Sequence, residues 1–89
     1  MTPVTIEIFV ERNCSSCESV LSVLRQVPEL ITSEIIVRQR ENDLEQFRQK
    51  QVMIVPATFI NNSLAFYGTF SKDDLEKYIA KYSLIRRSA

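Results

Sequence analysis

The chain of 89 residues has no histidine, no tryptophan, a single glycine and only two cysteines. Without histidine, a metal site within one chain would have to draw on Cys14, Cys17 and carboxylates, whereas structural zinc takes four ligands, mostly nitrogen and sulfur. An excess of either charge is also missing. The 11 Lys and Arg balance the 11 Asp and Glu, so net charge gives no support to nucleic acid or an anionic membrane surface as a partner. Met1 to Glu7 holds neither a basic region nor a long apolar run, so no signal peptide or membrane span is visible. The expected address is the cytoplasm, the alternative being a mature periplasmic form whose signal has been removed. No internal repeat, low-complexity tract or linker interrupts residues 1–89, which are expected to form one domain. A domain of this size buries roughly 60 to 65% of its unfolded surface, enough for one modest core.

What is present is concentrated at one junction. Val4 to Val10 (Val-Thr-Ile-Glu-Ile-Phe-Val) is rich in β-branched residues and predicts a strand. Directly after it comes Asn13-Cys14-Ser15-Ser16-Cys17-Glu18. From Ser15 to about Gln26, the residues Val20, Leu21, Val23, Leu24 and Val27 recur at helical spacing, with Pro28 as a stop. Two cysteines three positions apart on one helical turn can cycle between dithiol and disulfide or chelate a soft metal. In a reducing compartment such a pair is more often catalytic or metal-binding than a structural staple.

Further along, Ser33 to Arg38 contains Ile35-Ile36-Val37 and predicts a second strand, parallel to the first because a helix intervenes. Asn42 is expected to cap a helix with Glu45 in its first turn and Leu44, Phe47 and Val52 as the buried stripe. Pro56 precedes a short strand, Ala57 to Ile60. Asn61-Asn62 supplies positive-φ residues for a hairpin into Leu64 to Tyr67. Ser71 caps a last helix, Lys72 to Tyr82, with Asp73 and Asp74 in its first turn and Leu75, Tyr78, Ile79 and Tyr82 on its apolar face. Residues 83–89 show no pattern and are expected to fray.

The order βαβαββα, with Cys14-Ser15-Ser16-Cys17 at the first strand-to-helix junction and Val55-Pro56 before the third strand, resembles the thioredoxin and glutaredoxin superfamily. The resemblance runs from about Val4 to Tyr82 and includes Tyr67-Gly68-Thr69-Phe70-Ser71 before an acidic helix. It implies an α/β thioredoxin-like fold, a four-stranded mixed sheet flanked by three helices, acting as a thiol-disulfide oxidoreductase. By that resemblance the Val55–Pro56 bond is expected to be cis, with the Val55 backbone presented to an extended substrate segment. The protein would be a monomer whose redox-active disulfide is its only cofactor. It would act on disulfide-containing proteins and be recharged by a reductase or by glutathione.

From the residues themselves, a Cys14 at the helix N-terminus meets unpaired N–H groups and the positive end of the dipole, which favour a thiolate. Cys14 is then the nucleophile and Cys17, one turn further in, the resolving thiol. Ser15 and Ser16 are positioned to donate hydrogen bonds to Cys14, and Arg12 to stabilise its charge, with Glu18 opposing. Glu7 is a weaker candidate: related thioredoxins often bury a proton-shuttling acid on this strand, but the matching position here is Ile8. For Phe66 and Tyr67, packing in the hairpin core is expected over an apolar rim at the site. For Arg38 with Arg40 and Arg86 with Arg87, a solvated charged face is expected over a docking patch.

Three departures qualify the resemblance. Asn13 stands where thioredoxins carry tryptophan, the Ser-Ser spacer is neither Gly-Pro nor Pro-Tyr, and no Gly-Gly and acidic pair of the glutathione-holding kind follows Gly68. A dithiol reductase of protein disulfides is therefore preferred to a glutathione-dependent enzyme. The competing class is a metal or iron-sulfur carrier, with a dimer sharing four thiolates. Heavy-metal chaperones of similar size use a Met-x-Cys-x-x-Cys signature on a βαββαβ frame, whereas Arg12 replaces the methionine here and the last element is helical. A third class keeps the fold only as an interaction surface.

Overall fold

The computed structural model describes residues 4–26 and 32–88, with backbone alone for residues 32–33 and 82–88. The elements are β1 (Val4–Val10), α1 (Ser15–Arg25), β2 (Thr32–Gln39), α2 (Leu44–Gln49), β3 (Ala57–Ile60), β4 (Ser63–Tyr67) and α3 (Lys72–Ser88). They form one four-stranded sheet in the order β2-β1-β3-β4. β1 runs parallel to β2 and antiparallel to β3, and β3 pairs antiparallel with β4.

β1 is central and covered on both sides. Val4, Ile6, Ile8 and Val10 face one way and join Cys17, Val20 and Leu24 of α1 and Leu75 and Ile79 of α3 in the main core. Phe9 faces the other way and meets Phe47 of α2 edge-on at 4.9 Å and Phe59 of β3 at 5.4 Å. Burying an aromatic or branched aliphatic side chain of this kind contributes about 1.5 to 3 kcal/mol. The seven-residue strand therefore anchors both layers and fixes where its C-terminal end, and the cysteines after it, must lie.

The turns follow local chemistry. Asn61 and Asn62 take φ of 50° and 69° between β3 and β4, which asparagine tolerates better than other L-residues. Asn61 also ties the hairpin to the start of β1: its N–H donates to the Thr5 carbonyl at 2.9 Å and its Oδ1 accepts from the Thr5 N–H at 3.0 Å. Gly68 has φ of 78° and its N–H donates to the Pro56 carbonyl at 2.8 Å. α3 opens on a reciprocal cap, with Ser71 Oγ accepting from the Asp74 N–H at 3.1 Å and Asp74 Oδ2 from the Ser71 N–H at 3.2 Å.

Four expectations need correction. Leu44, expected in the buried stripe of α2, is 50% exposed. Asp43, not Asn42, is the N-cap residue of α2, and its side chain makes no capping bond. Its Oδ2 instead accepts from the Gln39 N–H at 2.9 Å, tying the loop back to the end of β2. Val52 is buried beside Phe47 but lies beyond the helix, in the turn made by Gln51 at φ 56°. Residues 83–88, expected to fray, continue α3, in keeping with the absence of Gly or Pro from that stretch. Pro28, the expected stop of α1, lies outside the described residues; the helix ends at Arg25 with Gln26 as its C-cap.

Candidate active site

Asn13, with φ of 54°, turns the chain out of β1, and Cys14 follows in extended geometry as the N-cap of α1. A cap side chain normally accepts a bond from the backbone one turn on, and oxygen usually serves. Here sulfur does: Cys14 Sγ accepts from the Cys17 N–H at 3.1 Å. The Cys14 carbonyl starts the helical ladder by accepting from the Glu18 N–H at 3.2 Å. Ser16 Oγ lies 3.7 Å from Cys14 Sγ, while Ser15 is exposed.

Cys14 and Cys17 are joined as a disulfide, with their Cα atoms 5.2 Å apart. Their environments differ. Cys14 is partly buried against the edge of the main core, whereas Cys17 is 2% exposed and belongs to it. Cys14 sits at a partly exposed helix cap and Cys17 within the buried core, so the two thiols differ in access to a reaction partner.

The Val55–Pro56 peptide bond is cis. Val55 is half-buried and packs against both cores, and Pro56 is buried. Among the described residues, the N–H and C=O of Val55 have no hydrogen-bond partner, although Pro56 on one side is engaged by Gly68. Just before them, Met53 and Ile54 are 83% and 69% exposed. The sequence expectations did not include this pair; its signal was the run of four apolar residues, Val52 to Val55, directly before Pro56. An open groove of about 570 Å³ is lined by Met53, Arg40, Leu44, Arg48 and Phe47 among others.

Other candidates fall elsewhere. Arg12 forms an ion pair with Glu41 at an exposed position. Glu7 lies on the α2 face of the sheet, opposite Cys17, with Oε2 at 2.7 Å from Arg38 Nε and Oε1 at 4.0 Å from Lys50 Nζ. It holds β2 and the end of α2 to β1 and cannot receive a proton from Cys17. Arg40 binds Glu11 at 2.8 Å, donates to the Met53 carbonyl at 3.2 Å and stacks over Phe47. Phe66 stacks on Phe70 at 4.4 Å beside the main core, but Tyr67, expected to pack with it, is 54% exposed. The side chains of Arg86 and Arg87 lie outside the described residues. Among the described residues, no three of His, Cys, Asp and Glu come together as a metal-binding group, and no helix is long and apolar enough to cross a membrane.

A thioredoxin-domain family model matches residues 4–80. The chain belongs to this thioredoxin-domain family. No curated protein matches it. Thioredoxin 1 from Thermosipho africanus superposes with a TM-score of 0.77 at 24% identity, over 93% of this chain and 98% of that one. The N-terminal domain of the alkylhydroperoxide reductase AhpF from Enterococcus faecalis gives 0.71 at 21% identity, over 88% of this chain but 38% of that one. A protein disulfide oxidoreductase from Aeropyrum pernix gives 0.68 at 25% identity, over 86% of this chain and 36% of that one. This thioredoxin domain thus spans little more than a third of the last two. With the Cys14–Cys17 pair within disulfide reach, its general class is that of the thiol-disulfide oxidoreductases.

Proposed function

We propose that this thioredoxin domain reduces protein disulfides by dithiol exchange, with Cys14 attacking and Cys17 resolving. The observation that carries the reading is the asymmetry of the pair: a partly exposed sulfur at the cap of α1, and a buried one bonded to it. In the reduced protein the Cys17 N–H and the dipole of α1 stabilise negative charge on Cys14 Sγ. That thiolate attacks one sulfur of a substrate disulfide, forming a Cys14–substrate bond and releasing the other substrate sulfur as a thiolate. The Cys17 sulfur then attacks Cys14, closing the intramolecular disulfide, and its proton ends on the departing substrate thiol. Two electrons and two protons from a reductase, or from glutathione, restore the dithiol.

The free N–H and C=O of Val55 orient the substrate by pairing with an extended segment, strand to strand. The exposed Met53 and Ile54 extend that platform with apolar surface, which suits an unfolded or extended polypeptide better than a small thiol. Ser16 contributes a weak contact to the attacking sulfur, and Ser15, exposed beside it, faces the incoming chain.

The test is a trap. Cys17→Ser incubated reduced with a disulfide-containing protein should accumulate a covalent adduct through Cys14, visible by mass and dispersed by dithiothreitol. Cys14→Ser should form none. Adducts through residue 17 instead, or none from either variant, would contradict the assignment of roles.

A further inference from the structure

Among the described residues one polar side chain is fully buried, that of Thr58, and its Oγ1 has no hydrogen-bond partner. Leaving a buried hydroxyl unpaired is costly, and valine would fill nearly the same space without that cost. Such an orphan calls for a reason.

Its position supplies one. Thr58 is the direct partner of Ile8 on β1 and of Phe66 on β4. Ile8 and its neighbour Ile60 belong to the core that holds Cys17, and Phe66 packs against that core. Thr58 therefore points to the α1 side of the sheet, the side of Cys17. It also sits two residues past Pro56, at the end of the sheet where the disulfide lies. The β1 side chains on this face, Val4, Ile6, Ile8 and Val10, are all aliphatic, and Glu7, the one carboxylate of the strand, is committed to Arg38 and Lys50 on the other face.

In the disulfide form the Cys17 sulfur is satisfied by its bond to Cys14. Once that bond opens, a thiol, and during resolution a developing thiolate, is left at a site 2% exposed, where water does not reach it freely and an unsolvated charge is costly. We propose that the Thr58 hydroxyl is the internal hydrogen-bond donor that the Cys17 sulfur acquires when the disulfide opens, making Thr58 a positioning residue for the resolving step. In the oxidised protein the disulfide fixes the Cys17 sulfur against Cys14, and the hydroxyl has no partner. This rests on the exchange reading above. No atom is transferred by Thr58: the Cys17 proton still leaves for the substrate sulfur, and the hydroxyl only stabilises the charge in passing.

The sign follows from which form the hydroxyl serves. It penalises the disulfide form and favours the dithiol form, so its removal shifts the equilibrium toward the disulfide. Thr58→Val, nearly isosteric, should raise the disulfide-to-dithiol ratio roughly three- to tenfold at a given glutathione poise, a potential more negative by about 14 to 30 mV for two electrons. Its oxidised form should unfold at the same or higher urea concentration than wild type, its reduced form at lower, and Thr58→Ser should return the potential toward wild type. Equal potentials for wild type and Thr58→Val, or equal stability shifts in both forms, would overturn the proposal while leaving the exchange reading intact. A wild-type protein that forms no reversible disulfide would overturn both.

Discussion

The Cys17 backbone N–H donates to the Cys14 sulfur across 3.1 Å, so Cys14, the proposed nucleophile, caps α1 by accepting from the backbone of Cys17, the proposed resolving residue. Chemistry and helix initiation share one contact. Cys14→Ser keeps a cap, because a serine oxygen accepts the same bond, and removes the nucleophile. This variant should fold as well as wild type, within about 0.5 kcal/mol of the reduced protein, and show no disulfide reductase turnover. Cys14→Ala should lose turnover and also about 1 kcal/mol of stability. Urea denaturation under reducing conditions, beside a turnover assay, separates the two effects.

Glu7 lies across the sheet from Cys17 and is paired with Arg38 and Lys50. Glu7→Gln should leave turnover and its pH profile unchanged while lowering stability by roughly 1 kcal/mol, between the values typical of exposed and buried pairs. A turnover loss of tenfold or more in a folded Glu7→Gln protein would contradict this placement and restore the carboxylate as a proton shuttle.

How much of this was legible in the sequence depends on the residue. The order of elements, the Asn61-Asn62 turn and the Cys14–Cys17 junction were readable because each rests on local chemistry. The face on which Glu7 sits was not, because β1 is buried on both sides and polar alternation then no longer marks the outside. Arg12 looked available because its partner, Glu41, is brought near only by the pairing of β1 with β2. The cap of α2 was misplaced by one residue because the Asp43 carboxylate bonds backward to Gln39, a choice that depends on where β2 ends. Nothing in the sequence marks Thr58, because the burial of its hydroxyl without a partner arises only when β3 is packed between β1 and β4.

The second core depends on few residues. α2 has six residues, too short to persist by itself, and Phe47 is its one buried side chain. Phe47→Ala should cost about 3 to 5 kcal/mol by removing the edge-on contact with Phe9 and detaching α2, which also lines the groove beside Met53. A marked drop in the urea midpoint is expected; a change below about 1 kcal/mol would show that Phe9 and Phe59 close over the gap unaided.

The cap of α3 titrates. The Ser71 backbone N–H, and then its hydroxyl, hold the Asp74 carboxyl below its ordinary value of 3.8. A carboxyl depressed in the folded state contributes stability above its unfolded value and loses it as pH falls through the folded one. Wild type should therefore melt higher than Asp74→Asn at neutral pH, with the gap closing as pH drops below 3.8. A gap that persists in strong acid would contradict the capping role.

The most direct test of the account is a redox titration of the wild-type protein in glutathione or dithiothreitol buffers, with free thiols counted by alkylation and mass. The account predicts one reversible two-electron step that joins Cys14 to Cys17 within the same molecule, at roughly minus 270 to minus 200 mV, the range of reducing members of this class. If both thiols stay free across that range and into oxidising buffers, the exchange mechanism is wrong.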